Sequence, residues 1–189
     1  MILDIVKYGE PILRQKGVKI EKLTPEIKKL IADMFETMHE RHGVGLAAQQ
    51  IGRALQLTVI DVSLVEDRPS TLELKGKPAD PKDIMPLVLI NPEITLIGDP
   101  VKTGEGCLSF PEIFAEISRP ALVDVKALDK HLKPIQFRAG GLLARAVQHE
   151  ADHLNGILFI DRMDKKTKEE LRDELDALQA ATKKTLKNK

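Results

Sequence analysis

The residues best equipped for chemistry form the run His149-Glu150-Ala151-Asp152-His153. In a helix, side chains four apart stack one turn above the other, so both imidazoles would share a face. Two neutral imidazoles so placed can reach one divalent ion at about 2 Å. A glutamate beside the first can take a proton from metal-bound water. The competing reading is two histidines on a solvated helix face. The flanking Leu142, Leu143, Ala144, Ala146 and Val147 argue against it, because a helix apolar almost all round is buried and buried imidazoles need partners. A hydrolytic site also needs a third protein ligand and an open fourth position. The sequence offers His39, His42, His131, Cys107 or a distant carboxylate. One metalloprotease group continues H-x-x-G-x-x-H; here Gly156 is present, but Phe159 stands where the third histidine would be. Cys107 is the best of the rest, since a thiolate with two imidazoles suits a borderline-soft ion. A lone cysteine is more often an inert buried side chain, so spacing alone leaves both readings open.

The elements that must position these groups can be read from periodicity and punctuation. Thr24-Pro25-Glu26 is a helix start, with an N-cap hydroxyl, proline at the first helical position and an acid in the first turn. Ile27, Leu30, Ile31, Met34, Phe35 and Met38 then trace one apolar stripe to about Arg41. The glycine-rich stretch His42–Gly52 reads as a close-packed loop, and Leu57 to Val62 as a short strand. Ser63 to Pro86 carries four prolines and reads as a surface excursion. Leu87 to Ile97, Ile113 to Ile117, Ala121 to Leu128 and Ile135 to Phe137 are strand candidates. A second helix is predicted from Gly140-Gly141 to Leu154, stopped by Asn155-Gly156. A last helix, about Lys165 to Leu186, is amphipathic through Leu171, Leu175, Leu178 and Ala181. This order predicts an α+β fold: one domain over residues 1–189, with mostly antiparallel or mixed strands packed around a buried central helix. An N-terminal amphipathic helix and a C-terminal helix flank that core.

Composition narrows the function classes. The 189 residues carry 29 Lys plus Arg against 29 Asp plus Glu, so no global field favours nucleic acid or anionic lipid, and specific DNA binding is not expected. Aromatic residues are 3% with no Trp, which disfavours broad stacking surfaces. Cys107 is the sole cysteine, so no internal disulfide can form and a reducing compartment is expected. The N-terminus lacks an apolar core of signal-peptide type, and no run approaches the 18 apolar residues of a membrane span. The expectation is a soluble cytoplasmic protein without membrane partners.

Three segments taken together resemble the peptide deformylases: Gly43-Val44-Gly45-Leu46-Ala47-Ala48-Gln49-Gln50, Glu105-Gly106-Cys107-Leu108-Ser109, and Gln148-His149-Glu150-Ala151-Asp152-His153-Leu154. They match that family's G-x-G-x-A-A-x-Q, E-G-C-x-S and Q-H-E-x-D-H patterns in kind and order, within a likeness running from Val6 to about Met163. The resemblance implies Cys107, His149 and His153 as metal ligands and Glu150 as general acid/base. It implies that Gln50 and the backbone N–H of Leu108 polarise the formyl oxygen. Gly45 falls where the family's loop approaches the substrate backbone in strand-like pairing. The implied reaction is attack of hydroxide, generated at the metal, on the formyl group of N-formyl-methionine at the N-terminus of a nascent polypeptide, releasing formate. One divalent ion per chain is implied, natively Fe(II), with Zn, Ni or Co able to substitute. Val44, Arg145 and Ala146 are expected at the edge of the methionine pocket. An arginine is unexpected there; its stem can pack while its head reaches water or an acid, or it is a structural ion pair.

Lesser signals have plain readings. His39 and His42 suit a solvated helix end, and His131 lies in a polar turn. Asp152 is either a support to the ligands or helix surface. The Lys183-Lys184-Thr185-Leu186-Lys187-Asn188-Lys189 tail holds four lysines and no acid; a contact with ribosomal RNA competes there with simple solvation. The runner-up function is a zinc endopeptidase built on the same His149-Glu150-His153 core. A closed structural metal module is disfavoured, because no fourth Cys or His stands at motif spacing.

Overall fold

A computed structural model of the chain describes residues 1–188, and Lys189 of the basic tail lies outside them. Helix α1 (Pro25–Glu40) begins as the sequence requires: the Thr24 hydroxyl accepts from the Ile27 N–H at 3.3 Å, and Pro25 opens the first turn. Its stripe buries Ile31, Met34 and Met38 against Leu46, Leu57, Val59, Val88 and Ile90.

Those partners belong to a seven-stranded sheet: β1 (Gly45–Ala47), β2 (Leu57–Ile60), β3 (Ser70–Leu74), β4 (Lys77–Ala79), β5 (Leu87–Cys107), β6 (Phe110–Leu128) and β7 (Pro134–Gly140). The strand order is β1-β2-β5-β6-β7-β3-β4, and every neighbouring pair is antiparallel. Side chains alternate across a sheet with period two. Leu57 and Val59 of β2 therefore face α1, while Ile60 packs into a second cluster with Leu142, Leu143 and Val147. That second cluster seats α2 (Gly141–Leu154) on the other face of the sheet. Deleting a side chain as enclosed as Leu143 would cost about 2–5 kcal/mol.

Two glycines allow the abrupt passage from β7 into α2. Gly141 has φ +62, and a Cβ there would lie 2.1 Å from the Pro69 carbonyl oxygen. A Cβ on Gly140 would lie 2.3 Å from Thr71 Oγ1. At the other end of α2, Gly156 takes φ +73 beside Asn155, the stop expected of that pair.

The structure corrects the sequence reading in four places. The 42–52 stretch read as a loop holds strand β1 and a 3-10 turn at Ala48–Ile51, because Gly45 to Ala47 pair with β2. The strands expected at 87–97, 113–117 and 121–128 are parts of two long strands, β5 and β6, paired from Ile90↔Leu128 to Cys107↔Phe110. The 63–86 segment is not wholly an excursion, since β3 pairs with β7 and extends the sheet. The final helix is two, α3 (Lys165–Glu170) and α4 (Arg172–Lys187), broken at Leu171. Ala181 is exposed; Thr182 takes the buried position on the Leu171, Leu175, Leu178 stripe, with its hydroxyl bonded to the Leu178 carbonyl at 3.0 Å.

Candidate metal centre and cleft

Cys107 ends β5 at the tip of the β5–β6 hairpin, and α2 lies against that tip. One ligand atom each from Cys107, His149 and His153 lie within 4.8 Å of one another. Cys107 Sγ is 3.4 Å from His153 Nε2. Of the ligand candidates left open by spacing, the structure brings these three together. His39 instead pairs its Nε2 with Asp61 Oδ2 at 3.0 Å, and the His131 N–H donates to Asp129 Oδ1 in the β6–β7 turn.

A buried polar network holds the cluster. His149 Nδ1 lies 3.0 Å from Glu105 Oε1, which leaves Nε2 free for an ion. Arg119 grips Glu105 through Nε and Nη2 at 2.6 and 3.0 Å and reaches Asp152 through Nη1 at 2.9 Å. Arg162 donates to the same Asp152 carboxylate at 2.8 and 3.1 Å. Arg145 donates to Glu105 Oε2 at 2.6 Å and to the Ile117 carbonyl at 2.7 Å. Its guanidinium is thus a structural ion pair, and Asp152 is an anchor on the inner side of the helix. Burial alone would raise the Glu105 pKa; the bonds from His149 and Arg119 outweigh it and lower it to about 2. Burial likewise opposes a charged His149, but bonds to Cys107 and Glu105 carry it well above the ordinary value. His153 is held well below, by burial first and then by the charges of His149 and Arg119.

Sequence reasoning missed Glu105 and Arg119 as parts of the site. Glu105 had a signal, standing two residues before Cys107. Arg119 had none, because its nearness to Glu105 and Asp152 depends on hairpin register.

Glu150 points into the same space, with only 3% of its surface exposed. Burial raises its pKa to about 7, against the opposing influence of His149 and the Thr58 hydroxyl at 3.5 Å. A carboxyl tuned to that range gains and loses a proton readily at neutral pH. Gly45 lies directly over it: a Cβ there would fall 2.3 Å from Glu150 Oε1. Gln50 accepts from the Ala47 N–H through Oε1 at 2.9 Å. Its Nε2 is thereby aimed at Ser109 Oγ (3.3 Å) and Cys107 Sγ (3.5 Å). The Leu108 carbonyl accepts from Lys7 Nζ at 3.1 Å.

These groups open onto a cleft of about 460 Å³, whose lining includes Val44, Gly45, Leu108, Arg145, Ala146 and Glu150. One side of it is formed by Val44 and by the edge of β1 at Gly45. The Asp61 N–H donates to the Val44 carbonyl, and the Ala47 N–H is taken by Gln50. In an antiparallel pair successive residues alternate between facing the partner and facing away, so the main-chain groups of Gly45 turn from β2 toward the cleft.

The donor set fits a divalent ion. One sulfur and two imidazole nitrogens suit Fe, Zn, Ni or Co, and an ion held by three protein ligands would keep a position for water or substrate, as hydrolytic centres require.

Comparison with known proteins places the chain in one family. The polypeptide deformylase family model matches residues 2–169. A peptide deformylase of Methylacidiphilum infernorum is 46% identical over 178 residues, 94% of this chain and 93% of that protein. One of Opitutus terrae is 48% identical over 170 residues, covering 89% and 88%. Among solved structures, Arabidopsis thaliana peptide deformylase 1B in complex with an inhibitor superposes with TM-score 0.83 at 36% identity, covering 97% and 93%. A Synechococcus elongatus peptide deformylase in complex with actinonin gives 0.75 at 36% identity, covering 95% and 85%.

Proposed function

The chain belongs to the polypeptide deformylase family of metal-dependent hydrolases, and on that premise we propose that it removes the formyl group from N-formyl-methionine at the N-terminus of nascent polypeptides, releasing formate. The observation that carries the reading is the Cys107, His149, His153 cluster with buried Glu150 beside it at the floor of an open cleft. Cys107, His149 and His153 would hold one divalent ion, natively Fe(II). When bound, the ion supplies Lewis acidity and lowers the pKa of water to about 7.

The chain's own residues do the rest. The outward N–H and C=O of Gly45 pair with the backbone of the extended substrate. Val44, Ala146 and the stem of Arg145 border the methionine side chain. The Gln50 amide and the Leu108 N–H hold the formyl oxygen as it gains negative charge; removing one such donor costs about 2.7–4 kcal/mol. Glu150 accepts a proton from the attacking water and delivers it to the departing amine nitrogen, leaving formate and a free α-amino terminus. Substrates on this reading are chains still emerging from the ribosome, in the cytoplasm. Lys183, Lys184 and Lys187 are exposed on the last turns of α4 and suit a contact with ribosomal RNA. Among the described residues no helix is long and apolar enough to cross a membrane.

The test is formate release from formyl-Met-Ala-Ser by anaerobically prepared, Fe(II)-loaded protein, with Glu150→Gln alongside. We expect robust turnover that falls by orders of magnitude in the variant while metal content is unchanged. Cleavage of internal bonds without formate release would instead establish the endopeptidase reading.

A further inference from the structure

The cleft carries a charge imbalance that the chain as a whole does not. Lys7, Arg41 and Arg68 all line it, and among the described residues none of the three pairs with a carboxylate. Lys7 donates to the Leu108 carbonyl, Arg68 reaches the Thr103 hydroxyl at 3.4 Å, and Arg41 caps α1 with its side chain exposed. Three carboxylates line the cleft: Glu105 is spent on Arg119 and Arg145, Glu150 lies buried at the reacting centre, and among the described residues Glu112 is the one on the exposed rim without a cationic partner. The cations lie close enough to affect one another. Lys7 is held below its ordinary pKa, by burial first and then by Arg41. Arg145 is likewise lowered, chiefly by burial, with Arg68 contributing.

With 29 positive and 29 negative side chains overall, this field is local to the mouth of the site. Where unpaired cations outnumber unpaired carboxylates at the mouth of a cleft with low-dielectric walls, the excess field is concentrated on whatever enters. A formylated N-terminus has no charge of its own, so the field acts on the side chains that follow the methionine.

We propose that the Lys7, Arg41 and Arg68 rim makes this enzyme selective among nascent chains, favouring acidic and disfavouring basic residues at the positions directly after the formyl-methionine. The proposal rests on the deformylase reading and adds a substrate class to it. It assigns Arg41 and Arg68 as residues that set specificity, at a distance from the reacting atoms.

The experiment compares formyl-Met-Ala-Xaa-Ala-amide and formyl-Met-Xaa-Ala-Ala-amide, with Xaa as Glu, Gln or Lys. The amidated end removes the terminal carboxylate that would otherwise mimic an acidic residue. For metal-loaded protein at low salt, kcat/KM should run Glu above Gln above Lys in at least one series, with a Glu to Lys ratio of about tenfold. The ratio should shrink toward unity at about 0.3 M salt. Arg41→Glu with Arg68→Glu should invert the order, and Arg41→Gln alone, at an exposed helix end, should narrow it. Turnover of the Gln peptides with no dependence on Xaa overturns the inference alone, as does a preference that ignores both salt and charge reversal. No turnover of the Gln peptides overturns the deformylase reading and this inference with it.

Discussion

Adding one methyl group at Gly45 gives a stringent test of the site. Gly45 needs no left-handed backbone, so alanine there is penalised by contact alone. Its Cβ would fall 2.3, 2.8 and 2.9 Å from Oε1, Cδ and Cγ of Glu150. Ordinary contact begins near 3.4 Å, so the carboxylate oxygen must recede by about 1 Å. It has little room, being almost wholly enclosed with the Thr58 hydroxyl 3.5 Å away. The alternative is movement of β1, which is tied to β2 through Gly45↔Ile60, Leu46↔Val59 and Ala47↔Thr58. Overpacking of this kind costs about 1–3 kcal/mol of stability, and a 1 Å misplacement of a reacting group costs about 100-fold in rate. Gly45→Ala should therefore lose about two orders of magnitude in kcat/KM for formate release and shift its denaturation midpoint downward. It should retain full metal content, because Cys107, His149 and His153 are untouched. A variant within about twofold of wild type in both activity and midpoint would refute the close approach of β1 to Glu150 and the role given to that carboxylate.

Other perturbations separate the supporting parts. Glu105→Gln keeps the shape but removes the charge shared by Arg119, Arg145 and His149; we expect about 3–5 kcal/mol of destabilisation and about 10–100-fold weaker metal binding, read by denaturation and competitive chelation. Asp164 caps α3, and its pKa is lowered to about 2 by the Thr167 backbone and hydroxyl and then by Lys102. The cap's stabilisation is therefore present above the ordinary aspartate value and lost as pH falls toward 2; a carboxyl NMR titration with an ordinary midpoint would contradict it. Gly9 sits at φ +113 with Gln179 O and Thr182 Cβ each 3.0 Å from a would-be Cβ. Gly9→Ala should cost about 1–3 kcal/mol and speed amide hydrogen exchange in α4, and unchanged exchange would show that the N-terminal segment does not brace that helix.

What was legible in the sequence was whatever local chemistry decides. The Thr24-Pro25 start, the stripe of α1 and the Gly140-Gly141 entry to α2 were readable because capping, period and punctuation agree there. The candidate ligands were readable in part: four-residue spacing pointed to His149 and His153, whereas Cys107 needed the resemblance, since it stands 42 positions before His149. The stretch from Gly98 to Glu105 is rich in Gly, Pro, Asp and Lys and shows little strand character of its own. It is a strand because β6 pairs along it. Arg119 and its partners follow from that pairing, so tertiary register alone reveals them. The break at Leu171 and the burial of Thr182 in place of Ala181 are likewise decided by what α3 and α4 pack against.

Both terminal strands of the sheet, β1 and β4, are only three residues long. Open strand margins template pairing with stray chains, the first step of aggregation, and short length, lysine and proline are the usual defences. β4 reads Lys77-Pro78-Ala79 and has all three, since Pro78 has no N–H to donate. β1 has no such residues and is protected by brevity, by the burial of Leu46 and Ala47, and by the Gln50 amide oxygen that takes the Ala47 N–H. On the proposed function, a protein that grasps extended chain ends has to keep one margin able to pair, and here that margin is narrowed to Gly45, the one β1 residue that lines the cleft.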